Sequence, residues 1–528
     1  MSGFLGMDPE QARDHAERMR TEGERVTNLS ERLTTAVNSA QWVGHDADSF
    51  RDQWKTLSQQ RIGTMIEQIQ TLAGELEGQA DQQDVTSARD GSESGPAEKE
   101  STLPPGQSES NGAGYRHTDN PWIPNWLENP VEDLFSSGAS VASDLIGNVF
   151  DKGMDFGIGL GEKLGINTEG LKQFQRDAEH FGGMLEDWAT GERVPAVSEL
   201  IAGGLLTTGS LGVGLYEAVT GKDTPFLDDR GGGIVHGVDT SATPGASPDT
   251  LQDLILRNNE LRLDNPDSNP LSAGQIGIQE IQSAHGGEPS YIVQIPPTEG
   301  AGFLDLNSYG AQGNSKDWAS NLRLVAGQHP AAMDDVRAAL EAAGVPAGAN
   351  VMLVGHSQGG IIGSHLAADP TFNSSSGEAG TYNVTHAFSV GSPVQTVLPS
   401  QSSTEVVNVA HTPVTFGFPT SHGDPIPALD LQGKLVDGSR LGAPNVHDVS
   451  LPGTEAPVEG MQWLWDNHDS VGKNDDPSGG YAGSLARHTS SDPVLSALQN
   501  DLQGVYLGDG TYVSRDTVVT VGREHRVP

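Results

Sequence analysis

A short apolar run that ends at a glycine-flanked serine constrains the fold of this 528-residue chain more than any other feature. Residues 351–363 read VMLVGHSQGGIIG. Residues 351–354 are typical of a buried strand, and residues 360–368 are typical of a helix with an apolar face. The glycines between them permit a sharp turn. A strand, a tight turn and a helix in this order predict a nucleophile elbow with Ser357 at its tip.

The pattern G-x-S-x-G is weak without its flanks. The chain has 67 glycines, so roughly one match is expected by chance. The alternative is an ordinary serine in a glycine-rich loop. The strand before Ser357 and the helix after it favour the nucleophile.

Apolar runs and helical patterns alternate from about residue 235 onward. Strands are predicted at SYIVQIPP (290–297), ANVMLVG (349–355), VTHAFSVGSP (384–393), TEVVNVAH (404–411) and NVHDVSLPG (445–453), with a helix at 330–344. This alternation indicates a mostly parallel sheet that is covered on both faces. We therefore expect an α/β domain at residues 235–528.

The N-terminal 83 residues show a different pattern. Apolar residues recur at helical spacing on both sides of Trp42-Val43-Gly44, which predicts an all-α helical hairpin at residues 1–83. Its open apolar stripe requires a helical partner or a second copy. The plain alternative is a coiled hairpin with a tryptophan in its turn.

Two further segments separate the hairpin from the α/β domain. Residues 84–119 are rich in Ser, Gly, Pro and Glu and are predicted to be a disordered linker, and residues 120–234 to be a helical middle region. Within the latter, residues 200–216 carry no charge. They are short for a membrane span and rich in small residues, so we expect a tightly packed helix or helix pair.

Charge and composition exclude several classes of protein. The formal net charge is −41, which argues against nucleic acid as a partner and against docking on anionic lipid. There are no cysteines, so disulfides, cysteine nucleophiles and cysteine-bound metals are excluded. The N-terminus lacks the pattern of a cleaved signal peptide.

A serine nucleophile needs an imidazole base and an orienting carboxylate, which follow it in the order Ser, acid, His in α/β-hydrolases. The expected acid is Asp424, in the proline-stiffened turn Gly423-Asp424-Pro425 after a predicted strand. Asp430 and Asp437 are competing acids. The alternative for Asp424 is a simple Asx-turn.

Four histidines follow Asp424. His468 lies in the polar loop WDNHDSVG beyond the last of these predicted strands and is the expected base. His447 lies within an alternating strand and His525 in the terminal tail. His447 and His488 remain the alternatives.

An oxyanion hole needs two backbone N–H donors. One is expected from Gln358, the residue after the nucleophile. The other is expected after SYIVQI, where Pro296 and Pro297 have no N–H and Thr298 is the first residue that can donate, with Glu299 next. A plain strand end is the alternative.

Two resemblances follow from these motifs. The hairpin with its Trp42-x-Gly44 turn resembles the WXG100 family of type VII secretion substrates, whose export motif places a Tyr before an acidic residue. Here Tyr115 and Asp119, separated by three residues, fit that motif, but they lie at the far end of the linker rather than next to the hairpin. The segments VGHSQGG, VGSPV (390–394) and HGDPIP (422–427) resemble lipases and esterases of the α/β-hydrolase class, especially class 3 lipases and the PE-PPE-type serine hydrolases of actinobacteria. Such enzymes have Pro-Gly-Thr where this chain has Pro296-Pro297-Thr298.

These resemblances imply a secreted or cell-surface hydrolase of carboxylic or lipid esters that uses no metal or organic cofactor. Export would follow a type VII-like route without a cleaved signal peptide; without it the enzyme would be cytoplasmic. The expected partner is a WXG-type helical protein or a second copy of the hairpin. Two other classes stay open: a non-catalytic secreted interaction protein built on the same fold, and a membrane-active toxin acting through residues 200–216.

Overall fold

A mixed β-sheet is the centre of the part of the chain that the structure describes. The computed structural model describes residues 169–220, 226–241, 245–262, 273–299, 310, 313–411, 423–424, 426–453 and 466–524, together with Arg13 and Arg20. The predicted hairpin (1–83), the linker (84–119) and the first part of the predicted middle region lie outside these residues. The described residues from Glu169 onward belong to one compact unit.

Nine strands form the sheet in this part of the chain. They are β1 (Ile234–Ser241), β2 (Gly245–Ala246), β3 (Gly274–Ser283), β4 (Ser290–Ile295), β5 (Asn350–His356), β6 (Asn383–Val390), β7 (Glu405–His411), β8 (Val446–Leu451) and β9 (Thr511–Gly522). Their order is β1-β9-β3-β4-β5-β6-β7-β8, with β2 paired to β9. Strands β4 to β8 run parallel to one another, whereas β1, β2 and β3 are antiparallel to β9, and β3 is antiparallel to β4.

Helices cover both faces of this sheet. They are α1 (Glu169–Thr190), α2 (Val197–Thr220), α3 (Leu251–Glu260), α4 (Trp318–Val325), α5 (Ala331–Ala342), α6 (Gln358–Ala368), α7 (Gly480–His488) and α8 (Pro493–Leu502), with a 3₁₀ helix at Ile426–Gly433. The mixed α/β architecture predicted for this region is confirmed, and all five predicted strands are present.

Alternation along β5 shows why its sequence is continuously apolar. Val351 and Leu353 pack into the core beneath α4, α5 and α6. Met352 and Val354 pack into the opposite core beneath α3, α7 and α8. Because successive side chains point to opposite faces, a strand covered on both sides needs an apolar residue at every position.

The uncharged segment 200–216 lies inside α2, which packs against α1. The helices approach closely at Gly170 and Gly214, where a Cβ atom on either residue would lie 2.9 Å from backbone atoms of the other. The prediction of a tightly packed helix is confirmed. Among the described residues, no helix combines the length and the apolar composition required to cross a bilayer.

Polar contacts attach these two helices to the elements beside the sheet. The buried guanidinium of Arg323 on α4 donates to Asp177 on α1 at 2.6 Å, and His180 donates to the carbonyl of Ala326 at 2.9 Å. At the start of α2, the N–H of Val197 donates to the Lys434 carbonyl just after the 3₁₀ helix. The α1–α2 pair therefore connects α4 with the 3₁₀ helix.

Candidate active site

The turn between β5 and α6 holds Ser357 in a strained conformation. Its φ of 53° and ψ of −122° lie in a region that non-glycine residues rarely adopt. Two hydrogen bonds hold it there: its N–H donates to the Val390 carbonyl at 2.9 Å, and the Ser392 hydroxyl donates to its carbonyl at 2.8 Å. The predicted strand, turn and helix are therefore present in order.

The glycines around Ser357 are required by close packing. A Cβ atom on Gly355 would lie 2.3 Å from the Gly359 backbone, and one on Gly359 would lie 1.9 Å from the Ile295 carbonyl oxygen. A Cβ atom on Gly360 would meet Ser392. The first turn of α6 thus sits directly against the end of β4.

The structure brings Ser357, His468 and Asp424 into one hydrogen-bonded row. His468 Nε2 lies 3.0 Å from Ser357 Oγ, and His468 Nδ1 lies 2.8 Å from Asp424 Oδ2. An ionised carboxylate only accepts, so Nδ1 carries the proton and Nε2 is the acceptor for the serine hydroxyl. This is the arrangement required for an imidazole base acting on a serine.

Asp424 is buried, and both of its oxygens have partners. Oδ1 accepts from the N–H of Ile426 at 2.9 Å. Oδ2 accepts from His468 and also from the Tyr481 hydroxyl, at 2.7 Å. The Asx-turn considered as an alternative role is therefore present, and the same carboxylate also contacts the imidazole.

The competing residues lie elsewhere. His447 pairs with Glu405 across β7 and β8 at 2.8 Å. Asp430 accepts from the Gln395 N–H, and Asp437 forms an exposed turn with Ser439. His488 ends α7, and His525 lies outside the described residues.

Two buried histidines that sequence reasoning missed hold the segment that carries His468. His356 Nε2 donates to the His468 carbonyl at 2.7 Å, and its Nδ1 accepts from Ser470 at 2.7 Å. His411 Nδ1 donates to the Asn467 carbonyl at 2.6 Å. Burial lowers the pKa of His356 well below its ordinary value, with a further contribution from His468, and burial also lowers the pKa of His411. Each ring is therefore neutral at pH 7 and has one donor and one acceptor nitrogen.

Of the two predicted oxyanion donors, Gln358 directly follows the serine. Gln358 begins α6, and within the described residues no acceptor is recorded for its N–H. Its side chain donates to the Asp317 carbonyl at 2.8 Å. The N–H of Glu299 donates to the Lys316 carbonyl, which excludes Glu299 as a donor to a substrate. Thr298 remains the second donor that the sequence predicted.

Thr298 is fixed by α4. Asn321 Nδ2 donates to the Thr298 hydroxyl oxygen at 2.8 Å. No carbonyl acceptor is recorded for the Thr298 N–H in the part of the chain that is described. The contact therefore orients the residue without using its backbone donor.

Thr298→Pro is expected to lower kcat by about a hundredfold or more, because it removes one oxyanion donor. Thr298→Ala keeps the N–H and should lower kcat by no more than about tenfold. The measurement is steady-state ester hydrolysis by the two folded variants. Equal turnover in both would show that the N–H of Thr298 is not a donor.

The described part of the chain contains no cluster of three or more His, Asp or Glu side chains positioned to hold a metal ion. Comparisons with protein-family models, with curated proteins and with solved structures gave no match. The chemistry of the site is therefore inferred from its own geometry.

Proposed function

We propose that this protein is a serine hydrolase that cleaves carboxylic esters, lipid esters included, through an acyl-serine intermediate. The observation that supports this most strongly is the row Asp424–His468–Ser357, with the serine held at a strained strand-to-helix turn. Strain of this kind is costly and is typical of residues that must present a reactive group.

The position of each residue in the sheet also supports an α/β-hydrolase. Ser357 follows β5, Asp424 follows β7 and His468 follows β8, all beyond the carboxyl ends of parallel strands. The order Ser, acid, His along the chain is that of this class. Together with the resemblance of the sequence motifs to lipases and esterases, these positions support the proposed ester hydrolysis.

In the proposed reaction, Ser357 Oγ attacks the ester carbonyl carbon while His468 Nε2 takes the hydroxyl proton. The N–H groups of Gln358 and Thr298 stabilise the oxyanion. His468 then gives its proton to the leaving alcohol as the ester bond breaks. Water adds to the acyl-serine by the same route and releases the carboxylic acid, and the proton returns to Ser357.

The test is a panel of p-nitrophenyl esters of increasing acyl-chain length. Wild-type protein is expected to hydrolyse at least one of them, and the preferred chain length would distinguish an esterase from a lipase. Absence of turnover on the whole panel by folded protein would contradict the proposal and support a non-catalytic interaction protein. Leakage from liposomes that persists in Ser357→Ala would instead support a membrane-active protein.

We also propose that residues 1–83 direct export through a type VII-like pathway, bound to a WXG-type helical partner or to a second copy. The support is the sequence pattern alone: two amphipathic segments, the Trp42-x-Gly44 turn and the polar linker that follows.

Deletion of residues 1–83 is expected to abolish secretion from a host that carries such a system, because the deletion removes the proposed docking element while leaving the hydrolase domain in place. The measurement compares the amounts of full-length and truncated protein in the culture medium. Equal amounts of both would contradict the export role and leave dimerisation as the role of this segment.

A further inference from the structure

A buried tyrosine lies directly behind the candidate triad. Tyr481, at the start of α7, is fully buried. Its hydroxyl donates to Asp424 Oδ2 at 2.7 Å and accepts from the backbone N–H of His411 at 3.1 Å. The hydroxyl therefore acts both as a donor and as an acceptor, and it donates to the carboxylate that binds His468.

The ring of Tyr481 has a second contact with the same segment. It stacks on the His411 ring with centroids 4.1 Å apart and an interplanar angle of 1°. His411 donates from Nδ1 to the Asn467 carbonyl and accepts at Nε2 from the Ser484 hydroxyl at 2.8 Å. Tyr481 thus supports the ring that fixes the residue immediately before His468.

Gly391 makes this close packing feasible. A Cβ atom at this position would lie 2.9 Å from the Tyr481 ring and 3.3 Å from both Asp424 Oδ2 and the His356 ring. Its φ of 67° also favours glycine. The VGSPV motif singled out in the sequence therefore leaves space in which the tyrosine, the carboxylate and the histidine meet.

We propose that Tyr481 is a positioning residue of the proposed hydrolase, which acts on His468 through its hydrogen bond to Asp424 and through the stacked His411 ring. This inference rests on the proposed function for its role in turnover. Its physical content, the coupling of Tyr481 to His468, is measurable without any substrate.

The coupling has a definite sign. The Tyr481 hydroxyl shares the negative charge of Asp424, so the carboxylate stabilises the His468 imidazolium less than it would alone. Burial and the neighbouring Asp424 raise the pKa of Tyr481 well above its ordinary value, so the hydroxyl stays a proton donor at pH 7. Removing the hydroxyl is therefore expected to raise the pKa of His468.

Other charged and titratable groups also act on this region. They are His356 on β5, His411 on β7, Asp466 and Asp469 beside His468, Arg262 after α3 and Arg487 on α7. Tyr481→Phe keeps the ring that stacks on His411 and removes only the hydroxyl, with its bonds to Asp424 and to the His411 N–H. A change in the pKa of His468 therefore reports on the hydroxyl.

The test is a titration of His468 by NMR of the full chain labelled with ¹³C-histidine, with the resonance assigned by its loss in His468→Gln. In Tyr481→Phe the pKa of His468 is expected to rise by about half a unit. The acid limb of the pH profile of kcat/KM should move to higher pH by the same amount, because turnover requires the neutral imidazole. The matched control is Tyr506→Phe, another fully buried tyrosine, whose hydroxyl bonds Thr385 away from the site; it should leave both values unchanged.

A second variant keeps the test decisive if Tyr481→Phe does not fold. Replacing Tyr481 by 3-fluorotyrosine preserves the ring and makes the hydroxyl a stronger donor, so the pKa of His468 should fall. An unchanged pKa of His468 in the folded variants, or an equal shift in Tyr506→Phe, would overturn the inference. If the predicted shifts occur in a protein that hydrolyses no ester, the proposed function fails and the coupling stands.

Discussion

Ser357→Ala is expected to lower kcat for ester hydrolysis by roughly four to six orders of magnitude, because Ser357 supplies the nucleophile that forms the acyl intermediate. His468→Ala should have an effect of similar size, since the members of such a row act as a unit. Asp424→Ala should cost less, because the imidazole keeps its bond to the serine. The measurement is steady-state kinetics on the best ester of the panel.

Ser364→Ala is the matched control for the first of these variants. Ser364 is also a buried serine and lies seven residues after Ser357, within α6. Its substitution should leave turnover near the wild-type value. A His447→Ala variant without activity, together with a fully active His468→Ala variant, would show that the base is assigned to the wrong histidine. The 2.8 Å contact of His447 with Glu405 makes that outcome unexpected.

Gly359→Ala is expected to lower both the stability of the domain and its turnover. The added methyl group would lie 1.9 Å from the Ile295 carbonyl oxygen and 2.7 Å from the Pro296 carbonyl oxygen. These are backbone atoms, so α6 must move away from β4, at a cost of about 1–3 kcal/mol in the free energy of unfolding. The shift also displaces Ser357 from His468, which should lower kcat by about a hundredfold.

Gly363→Ala is the control for this variant. It lies one turn further along the same helix, and its Cβ atom would be 3.5 Å from Leu353 Cβ, an ordinary contact. Denaturant unfolding and kinetics of the two variants separate close packing at the elbow from the general effect of alanine in α6. Equal stabilities and rates for the two variants would contradict the role given to Gly359.

The parallel half of the sheet was predictable because its strands are buried on both faces. Residues 351–354 are apolar at every position, and such a continuous apolar run can be recognised in a single sequence. The antiparallel half was not predicted. Its strand β3 reads GQIGIQEIQS, in which glycine and glutamine interrupt the apolar run. Such a strand becomes recognisable only by its pairing with β4 and β9.

The hydrogen-bonded row was predictable from chain order, because only a few acids and histidines follow Ser357 in suitable loops. The choice between Thr298 and Glu299 was not settled by sequence. It depends on the Lys316 carbonyl, which takes the Glu299 N–H and lies 17 residues away in the chain. Contacts of this kind leave no local pattern.

The supporting residues were missed for the same reason. His411 ends a strand and Tyr481 lies at the start of a helix, and neither position suggests contact with Asp424 or with the segment that carries His468. The one available signal was His356, which occupies the variable position of G-x-S-x-G beside the serine. A polar ring at that buried position needs partners, and it finds them in the His468 segment.

The central claim is that Ser357 is a nucleophile activated by His468. The most direct measurement is mass spectrometry of the full chain after reaction with a fluorophosphonate, followed by peptide mapping. We predict a single adduct on Ser357 in the wild type, no adduct in Ser357→Ala, and strongly slowed labelling in His468→Ala. Folded wild-type protein that stays unlabelled, or an adduct located on another residue, would contradict this account.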